Sequence, residues 1–131
     1  MKSIDVICGI IINERKVLVA QRSLYMSLPL KWEFPGGKKN KNETDKACLK
    51  RELFEELNIK VKVKERFAFS EHDYADFRIC LTAYLAEIVI GTLLMYEHKQ
   101  IKWVSKNNLF SLQWAPADIP IVEKLLNSKL L

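Results

Sequence analysis

The sequence contains no internal repeat, no low-complexity tract and no apolar run of the roughly 20 residues that a membrane-spanning helix needs. These absences exclude a repeat architecture and predict no membrane partner. Asp5 interrupts the apolar run within residues 1–12, and no small-residue cleavage pattern follows it. We therefore expect a strand at this position and not a signal peptide.

Cysteine is also scarce. The three cysteines, Cys8, Cys48 and Cys80, are odd in number and lie in apolar or helical runs. This pattern does not favour a disulfide framework or a cysteine metal site, and it is typical of small buried side chains in a reducing compartment. A cytoplasmic protein is the expectation.

The 131 residues are enough for one domain with a real core, and 49% of them are hydrophobic. The formal charge of +5 suits a polyanionic partner, a nucleotide or plain solubility. The basic residues are scattered, except for the cluster Lys38, Lys39 and Lys41 just before Glu43.

Hydrophobic patterning predicts interleaved strands and helices without a regular βαβ repeat, which indicates a mixed α/β (α+β) fold. The predicted strands are 4–12, 16–22, 32–34, 59–69, 77–89 and 101–104. The predicted helices are 44–57, a short one from Ser105, and an amphipathic one at 119–130. A turn is expected at 35–37, and a polar loop is expected at 70–76.

The most informative stretch lies between Gly37 and Ile59, where a glycine turn precedes an acid-rich helix. A helix turns about 100° per residue, so Glu52, Glu55 and Glu56 fall within one narrow arc. Three carboxylates this close repel one another, and each raises the pKa of its neighbours. A bound divalent cation explains the arrangement, because Mg²⁺ accepts hard carboxylate oxygens while keeping waters for a phosphate substrate.

A solvated acidic face is the alternative interpretation of these glutamates. Leu49, Leu53 and Leu57 recur at i, i+4 and i+8, so the helix also has an ordinary buried stripe. A surface helix explains the leucines and one glutamate. It does not explain the remaining glutamates together with Gly37 and Arg51.

The spacing of these residues resembles the Nudix box, a pattern of glycine, glutamate, Arg-Glu, Glu-Glu and glycine at fixed separations. The matching positions are Gly37, Glu43, Arg51, Glu52, Leu53, Glu55, Glu56 and Ile59. Asn58 stands where the family has a glycine that closes the helix in a left-handed conformation. Asparagine is the next most tolerant residue there, so we expect the chemistry to be unaffected.

The resemblance covers nearly the whole chain and extends to the MutT-like branch of the Nudix hydrolase family. The other matching segments are V-I-C-G-I-I-I, V-L-V-A-Q-R ending at Arg22, W-E-F-P-G-G from Trp32, and W-A-P-A-D-I-P from Trp114. The resemblance implies a single Nudix domain over residues 1–131. It also implies an α/β/α sandwich, with a mixed β-sheet between helices.

For the metal, the resemblance implies Mg²⁺, with Mn²⁺ as a substitute. The implied ligands are the Gly36 carbonyl and the carboxylates of Glu52, Glu55, Glu56 and Glu97. Arg51 and Glu43 are expected to pair, holding the loop and the helix in place for catalysis. Glu52 is the first candidate for the general base, and Glu97 is the second.

For the substrate, the resemblance implies contacts from Arg22, Gly37, Lys38, Arg78, Trp114 and Asp118. Arg22 and Lys38 are candidate phosphate contacts, and a solvated surface cation is the alternative for each. Trp114 and Asp118 match the position at which MutT-type enzymes read the base, although Trp114 also suits a core. MutT itself carries Asn at the position of Asp118, whereas CTP-preferring relatives carry Asp.

Four other residues have weaker expectations. Trp32 and Glu33 border the base pocket or serve in packing. Structural roles are expected for His72 and His98, because neither has ligand spacing to a second His or Cys.

The resemblance implies a Mg²⁺-dependent nucleoside triphosphate pyrophosphohydrolase that forms a nucleoside monophosphate and diphosphate. An 8-oxo-dGTP diphosphatase that sanitises the nucleotide pool is the first hypothesis, and hydrolysis of CTP or methylated dCTP is the second. A catalytically silent nucleotide- or RNA-binding module is the alternative of another class. ADP-ribose, coenzyme A and capped RNA fit the short chain less well. We expect a monomer or homodimer without a stable nucleic-acid partner.

Overall fold

A computed structural model describes all residues, Met1–Leu131. The seven strands are β1 (Lys2–Asn13), β2 (Lys16–Gln21), β3 (Trp32–Glu33), β4 (Gly36–Lys38), β5 (Ile59–Asp73), β6 (Phe77–Gly91) and β7 (Gln100–Ser105). The helices are α1 (Asp45–Leu57) and α2 (Ile119–Leu126), with 3-10 helices at Lys106–Ser111 and Pro116–Asp118. Neither α-helix has the length and apolar character required to span a membrane.

Strand β1 lies in the middle of the sheet. It pairs in parallel with β6, and it pairs antiparallel with β2 only at its last two residues. Strand β5 is an edge strand beside β6, while β3 and β7 pair with β2. The short β4 pairs with β1 so that Gly37 lies opposite Ile7 and Gly36 lies opposite Cys8. This pairing places the glycine pair next to the centre of the sheet.

Alternate residues of β1 and β2 face opposite sides of the sheet, because side chains alternate along a strand. On one side, Ile7, Ile11 and Leu18 pack against Leu49, Leu53 and Leu57 of α1. On the other side, Cys8, Ile10 and Val17 pack against Ile121, Val122 and Leu125 of α2. The predicted sandwich of a mixed sheet between helices is confirmed.

The ends of α1 agree with the sequence. The Thr44 side chain accepts a hydrogen bond from the Ala47 N–H at 3.1 Å, as an N-cap does. Asn58 ends the helix with φ 60° and ψ 32°, which is the left-handed conformation expected at this position. Its side chain also donates to the Thr92 carbonyl at 3.0 Å, which fixes the helix end to the chain after β6.

The three largest differences from the sequence-based expectations lie at β5, β4 and α2, and the other boundaries shift by one or two residues. The polar segment that follows Phe69 extends β5 to Asp73 instead of forming a loop, because an edge strand tolerates polar side chains on its exposed face. The expected turn at 35–37 contributes β4, because the N–H and C=O groups of β1 are available there. Helix α2 ends at Leu126 and not at residue 130, with Ser128 accepting a hydrogen bond from Leu130 beyond it.

Candidate active site

A cleft of about 780 Å³ opens beside α1 and the glycine pair. One wall is apolar and is formed by neighbouring residues of the parallel strands β1 and β6. These residues are Ile4, Val6, Phe77, Ile79 and Leu81. The charged side chains that line the rest of the cleft are Arg22, Glu33, Lys38, Glu52, Glu56, Asp76 and Asp118. The apolar wall suits a flat apolar group, and the excess of carboxylates in the rest of the lining suits a cation.

Two of the three glutamates in the predicted arc line the cleft, since Glu52 and Glu56 lie one helical turn apart on α1. The Glu55 side chain is 57% exposed and lies outside the cleft, where it accepts a hydrogen bond from Arg51 at 3.2 Å. The structure therefore brings Glu52 and Glu56 together in the cleft and leaves Glu55 on the exposed face of α1.

Residue 37 must be a glycine because the Glu52 side chain lies directly against its backbone. A Cβ atom at Gly37 would lie 2.3 Å from both Cδ and Oε2 of Glu52. The Glu52 carboxylate therefore rests directly on the glycine backbone, and only glycine permits this contact. The first glycine of the pair has a different constraint, because a Cβ at Gly36 would lie 2.0 Å from the Ile7 carbonyl oxygen.

The predicted pair of Arg51 and Glu43 forms. Arg51 Nε donates to Glu43 Oε2 at 2.6 Å, and Nη2 donates to Oε1 at 3.0 Å. The same guanidinium donates to the Lys38 carbonyl at 3.1 Å and to Glu52 Oε1 at 2.9 Å. Arg51 thus connects the loop before α1, the end of β4 and a cleft-lining carboxylate.

Replacing Glu43 with Gln is expected to change the acid stability of the fold. The hydrogen bonds from Arg51 lower the pKa of Glu43 from 4.5 to about 2. A carboxyl group with a lowered folded-state pKa stabilises the fold above its unfolded pKa and loses that contribution as the pH falls towards 2. The Tm difference between wild type and Glu43→Gln should therefore be constant above about pH 5 and shrink between about pH 4.5 and 2. Glu65→Gln, at an exposed position without an ion pair, is the control. A Tm difference that does not change with pH would refute the assignment.

Glu97, the predicted glutamate outside the box, is exposed and does not line the cleft. It nevertheless lies near Glu56, whose pKa is raised first by burial and then by the charge of Glu97. The Oε2 atom of Glu56 is buried and has no hydrogen-bond partner. No hydrogen-bond donor of the protein therefore compensates a negative charge on Glu56.

The donor set fits a hard divalent cation. No three Asp, Glu, His or Cys side chains converge closely enough in this structure to enclose an ion. Glu52 and Glu56 do present carboxylates to the cleft beside the glycine backbone, and oxygen ligands of this kind suit Mg²⁺ or a similar cation. The uncompensated Oε2 of Glu56 is a second sign that positive charge belongs here.

Arg22 and Lys38, the candidate phosphate contacts, both line the cleft. Arg22 donates from Nη1 to Glu33 Oε1 at 2.8 Å and from Nη2 to the Ser27 hydroxyl at 3.0 Å, so the protein already uses part of its guanidinium. Lys38 is exposed and forms no salt bridge. Lys38 is therefore the cation with more freedom to meet an anionic group.

Asp118 lies in the cleft and is buried. Its Oδ2 accepts a hydrogen bond from the Phe34 N–H at 3.0 Å, and its other oxygen has no partner in the protein. Burial, followed by the charge of Glu33, raises the pKa of Asp118 well above its ordinary value. This geometry holds a fixed polar group against a molecule that enters the cleft.

The structure does not bring Arg78 or Trp114 into the cleft. Arg78 is paired with Asp73 across the tip of the β5–β6 hairpin, at the surface. Trp114 is buried in the core, stacks on Phe34 with 5.0 Å between ring centroids, and donates from Nε1 to the Leu109 carbonyl at 2.7 Å. The sequence left open whether Trp114 reads the base or packs in the core, and the structure shows it in the core.

The sequence predicted a structural role for His98 but not its place in the cleft. The side chain is only 3% exposed and lines the cleft, with Nε2 at 2.8 Å from Glu33 Oε2 and Nδ1 at 3.7 Å from Glu56 Oε2. Tyr74 was missed as well; its hydroxyl accepts from the Ala117 N–H at 3.4 Å beside Asp118. Neither residue has a local motif, since each reaches the cleft only through long-range strand pairing.

Comparison with known proteins gives a consistent result. The NUDIX domain profile matches residues 2–125. The CTP pyrophosphohydrolase of Escherichia coli (strain K12) is 36% identical over 126 residues, covering 96% of this chain and 93% of that protein. The 8-oxo-dGTP diphosphatase of Haemophilus influenzae is 35% identical over 130 residues, covering 96% and 93%.

The solution NMR structure of DNA mismatch repair protein MutT (family Nudix hydrolase) from methicillin-resistant Staphylococcus aureus 252 has a similar fold. It is 46% identical with a TM-score of 0.78, covering 97% of this chain and 98% of that one. Family profile, relatives and fold agree with the geometry of α1 and the glycine pair. The chain belongs to the Nudix family.

Proposed function

We propose that the protein is a Mg²⁺-dependent nucleoside triphosphate pyrophosphohydrolase. The observation that carries the proposal is the pair Glu52 and Glu56 in one cleft, with the Glu52 carboxylate resting on Gly37. Water attacks between the α- and β-phosphates, and the products are a nucleoside monophosphate and diphosphate. The geometry of both carboxylates and the family membership support this reaction.

Each residue has a defined task in this proposal. Glu52, Glu56 and the Gly36 carbonyl hold the cation, and Mn²⁺ can replace Mg²⁺. When bound, the cation neutralises phosphate charge and makes water a better nucleophile. Glu52 is proposed to take the proton of the attacking water. Arg51 fixes Glu52 and the loop before α1, and Lys38 meets the phosphates.

The nucleobase is proposed to bind at the apolar wall formed by β1 and β6, with Asp118 at its edge. The Asp118 oxygen that lacks a protein partner forms a hydrogen bond with the polar edge of the base. Oxidised purine triphosphates are the first substrate class, because 8-oxo-dGTP diphosphatases recur among the relatives. Cytidine triphosphates are the second class, since Asp118 is a carboxylate and one relative is a CTP pyrophosphohydrolase.

The experiment is a nucleotide panel with purified protein, Mg²⁺ or Mn²⁺, and 8-oxo-dGTP, dGTP, CTP and methylated dCTP. Release of diphosphate rather than orthophosphate is the expected result, with no turnover in EDTA. Nucleotide or RNA binding without turnover of any substrate would favour a silent binding module and overturn the proposal.

Replacing Asp118 with Asn is expected to change base preference without loss of stability. The amide oxygen can still accept from the Phe34 N–H, while an NH₂ group, which can only donate, replaces the oxygen that faces the base. An unmatched buried hydrogen bond costs about 1–3 kcal/mol, so the ratio of kcat/KM between 8-oxo-dGTP and CTP should shift by roughly tenfold or more. Competition kinetics and Tm measure the two effects. An unchanged ratio would place the base away from Asp118.

A further inference from the structure

A row of hydrogen bonds runs from Arg22 through Glu33 to His98, and the His98 ring lies beside Glu56. Arg22 donates to Oε1 of Glu33, and Oε2 of Glu33 accepts from Nε2 of His98, both at 2.8 Å. Arg22 is itself held by the carbonyl and hydroxyl oxygens of Ser27. Both oxygens of Glu33 are therefore engaged, and the carboxylate is fixed from two sides.

His98 stands at the end of this row with its ring in one orientation. A carboxylate can only accept hydrogen bonds, so we assign the ring proton to Nε2, which donates to Glu33. The other ring nitrogen, Nδ1, faces Oε2 of Glu56 at 3.7 Å. Both of these atoms are buried, and neither has a hydrogen-bond partner.

We propose that His98, anchored by Glu33, is a positioning residue for the cation-binding carboxylate of Glu56. The fixed ring forms the wall behind Glu56, so that Oε2 stays inside and the 23% of the side chain that is exposed lies towards the cleft. Because no hydrogen bond forms across the 3.7 Å between Nδ1 and Oε2, the Glu56 carboxylate remains available for a cation. The inference rests on the proposed function, and it assigns to His98 the task of supporting Glu56 at the proposed cation site.

The positioning role and a merely structural role make different predictions. A core histidine that only fills space contributes to Tm and leaves the cation affinity unchanged. A residue that orients a metal-binding carboxylate changes cation affinity, and losses of such supporting contacts cost about 10- to 100-fold. Binding of Mn²⁺ to nucleotide-free protein, followed by electron paramagnetic resonance, separates the two roles.

The test uses two substitutions that both fill the space of the ring. His98→Leu cannot bond to Glu33, and its Mn²⁺ affinity should fall about 10- to 100-fold, with a similar loss of kcat and little change in nucleotide KM. His98→Gln retains a donor for Glu33 and should stay closer to wild type, within about threefold. His72→Leu, at the other histidine, is the matched control and should bind Mn²⁺ like wild type.

The proposal is overturned if His98→Leu keeps the wild-type Mn²⁺ affinity, or if the Leu and Gln variants lose affinity equally. Should His98→Leu not fold, Glu33→Gln tests the same anchor and should also weaken Mn²⁺ binding.

Where both variants fold, they can be combined in a double-mutant cycle. Their losses of Mn²⁺ affinity should not multiply, because both substitutions break the same contact between His98 and Glu33. Multiplicative losses would overturn the proposal.

Glu56→Gln serves as the reference in the same titration. If it binds Mn²⁺ like wild type, the cation role in the proposed function fails, whereas a loss seen with Glu56→Gln but not with His98→Leu refutes only the role of His98. Diphosphate release by the wild type is measured separately, so the two failures are distinguishable.

Discussion

Glu56→Gln should lower kcat by about 10³-fold, or roughly 4 kcal/mol of transition-state stabilisation. Glutamine has nearly the shape of glutamate and leaves the packing against His98 in place, but it removes the charge that holds the cation. The same change should not lower Tm in the absence of metal. Burial and the nearby Glu97 raise the pKa of Glu56, which means that the ionised form is less favourable in the folded protein than in the unfolded chain. Removing that charge should keep or raise Tm at neutral pH in EDTA.

The matched control is Glu55→Gln on the same helix. The Glu55 side chain is 57% exposed, lies outside the cleft and interacts only with Arg51. Its loss of kcat should therefore be much smaller, about tenfold or less, although the sequence places it in the same acidic arc. Equal losses for Glu55→Gln and Glu56→Gln would show that the cation also uses the outer carboxylate, and that the helix face reorganises when it binds.

The parts of the site that could be predicted from sequence are local. The arc of glutamates follows from helical periodicity, and the left-handed end of α1 at Asn58 follows from the conformational tolerance of asparagine. Glu43 and Arg51, which form a pair, lie only 8 residues apart in the chain. In each case, the distance along the chain and the regular geometry of a helix are sufficient.

The parts that could not be predicted depend on distant segments. Glu33 and His98 meet because β3 and the end of the loop before β7 both lie beside β2. No pattern in the sequence connects two positions 65 residues apart. Trp114 was ambiguous for another reason, since an aromatic ring suits both a core and a base-binding pocket. The adjacent Phe34 ring determines its place.

Alanine at each of the two glycines should separate activity from stability. In Gly37→Ala, the new methyl group would meet the end of the Glu52 side chain, 2.3 Å away, and the carboxylate can rotate aside. We expect a small stability change, below about 1 kcal/mol, but a fall of kcat by about 100-fold, because small displacements of a reacting group are costly. In Gly36→Ala, the methyl group would meet the Ile7 carbonyl at 2.0 Å, and this backbone cannot move without opening the β1–β4 pairing. That variant should lose about 3 kcal/mol or more of the free energy of unfolding in urea.

The mechanism for Gly37→Ala has a further check in combination with Glu52→Gln. If the methyl group acts only by displacing the Glu52 carboxylate, the double variant should be no slower than Glu52→Gln alone, because the displaced group has already lost its charge. Multiplying losses would mean that the Gly37 backbone itself contacts the substrate phosphates, so that this position would require glycine for two separate reasons. The measurement is steady-state kcat of the wild type, the two single variants and the double variant, with Tm as the measure of folding. It distinguishes a glycine that only makes room for the Glu52 carboxylate from one whose backbone also binds the substrate phosphates.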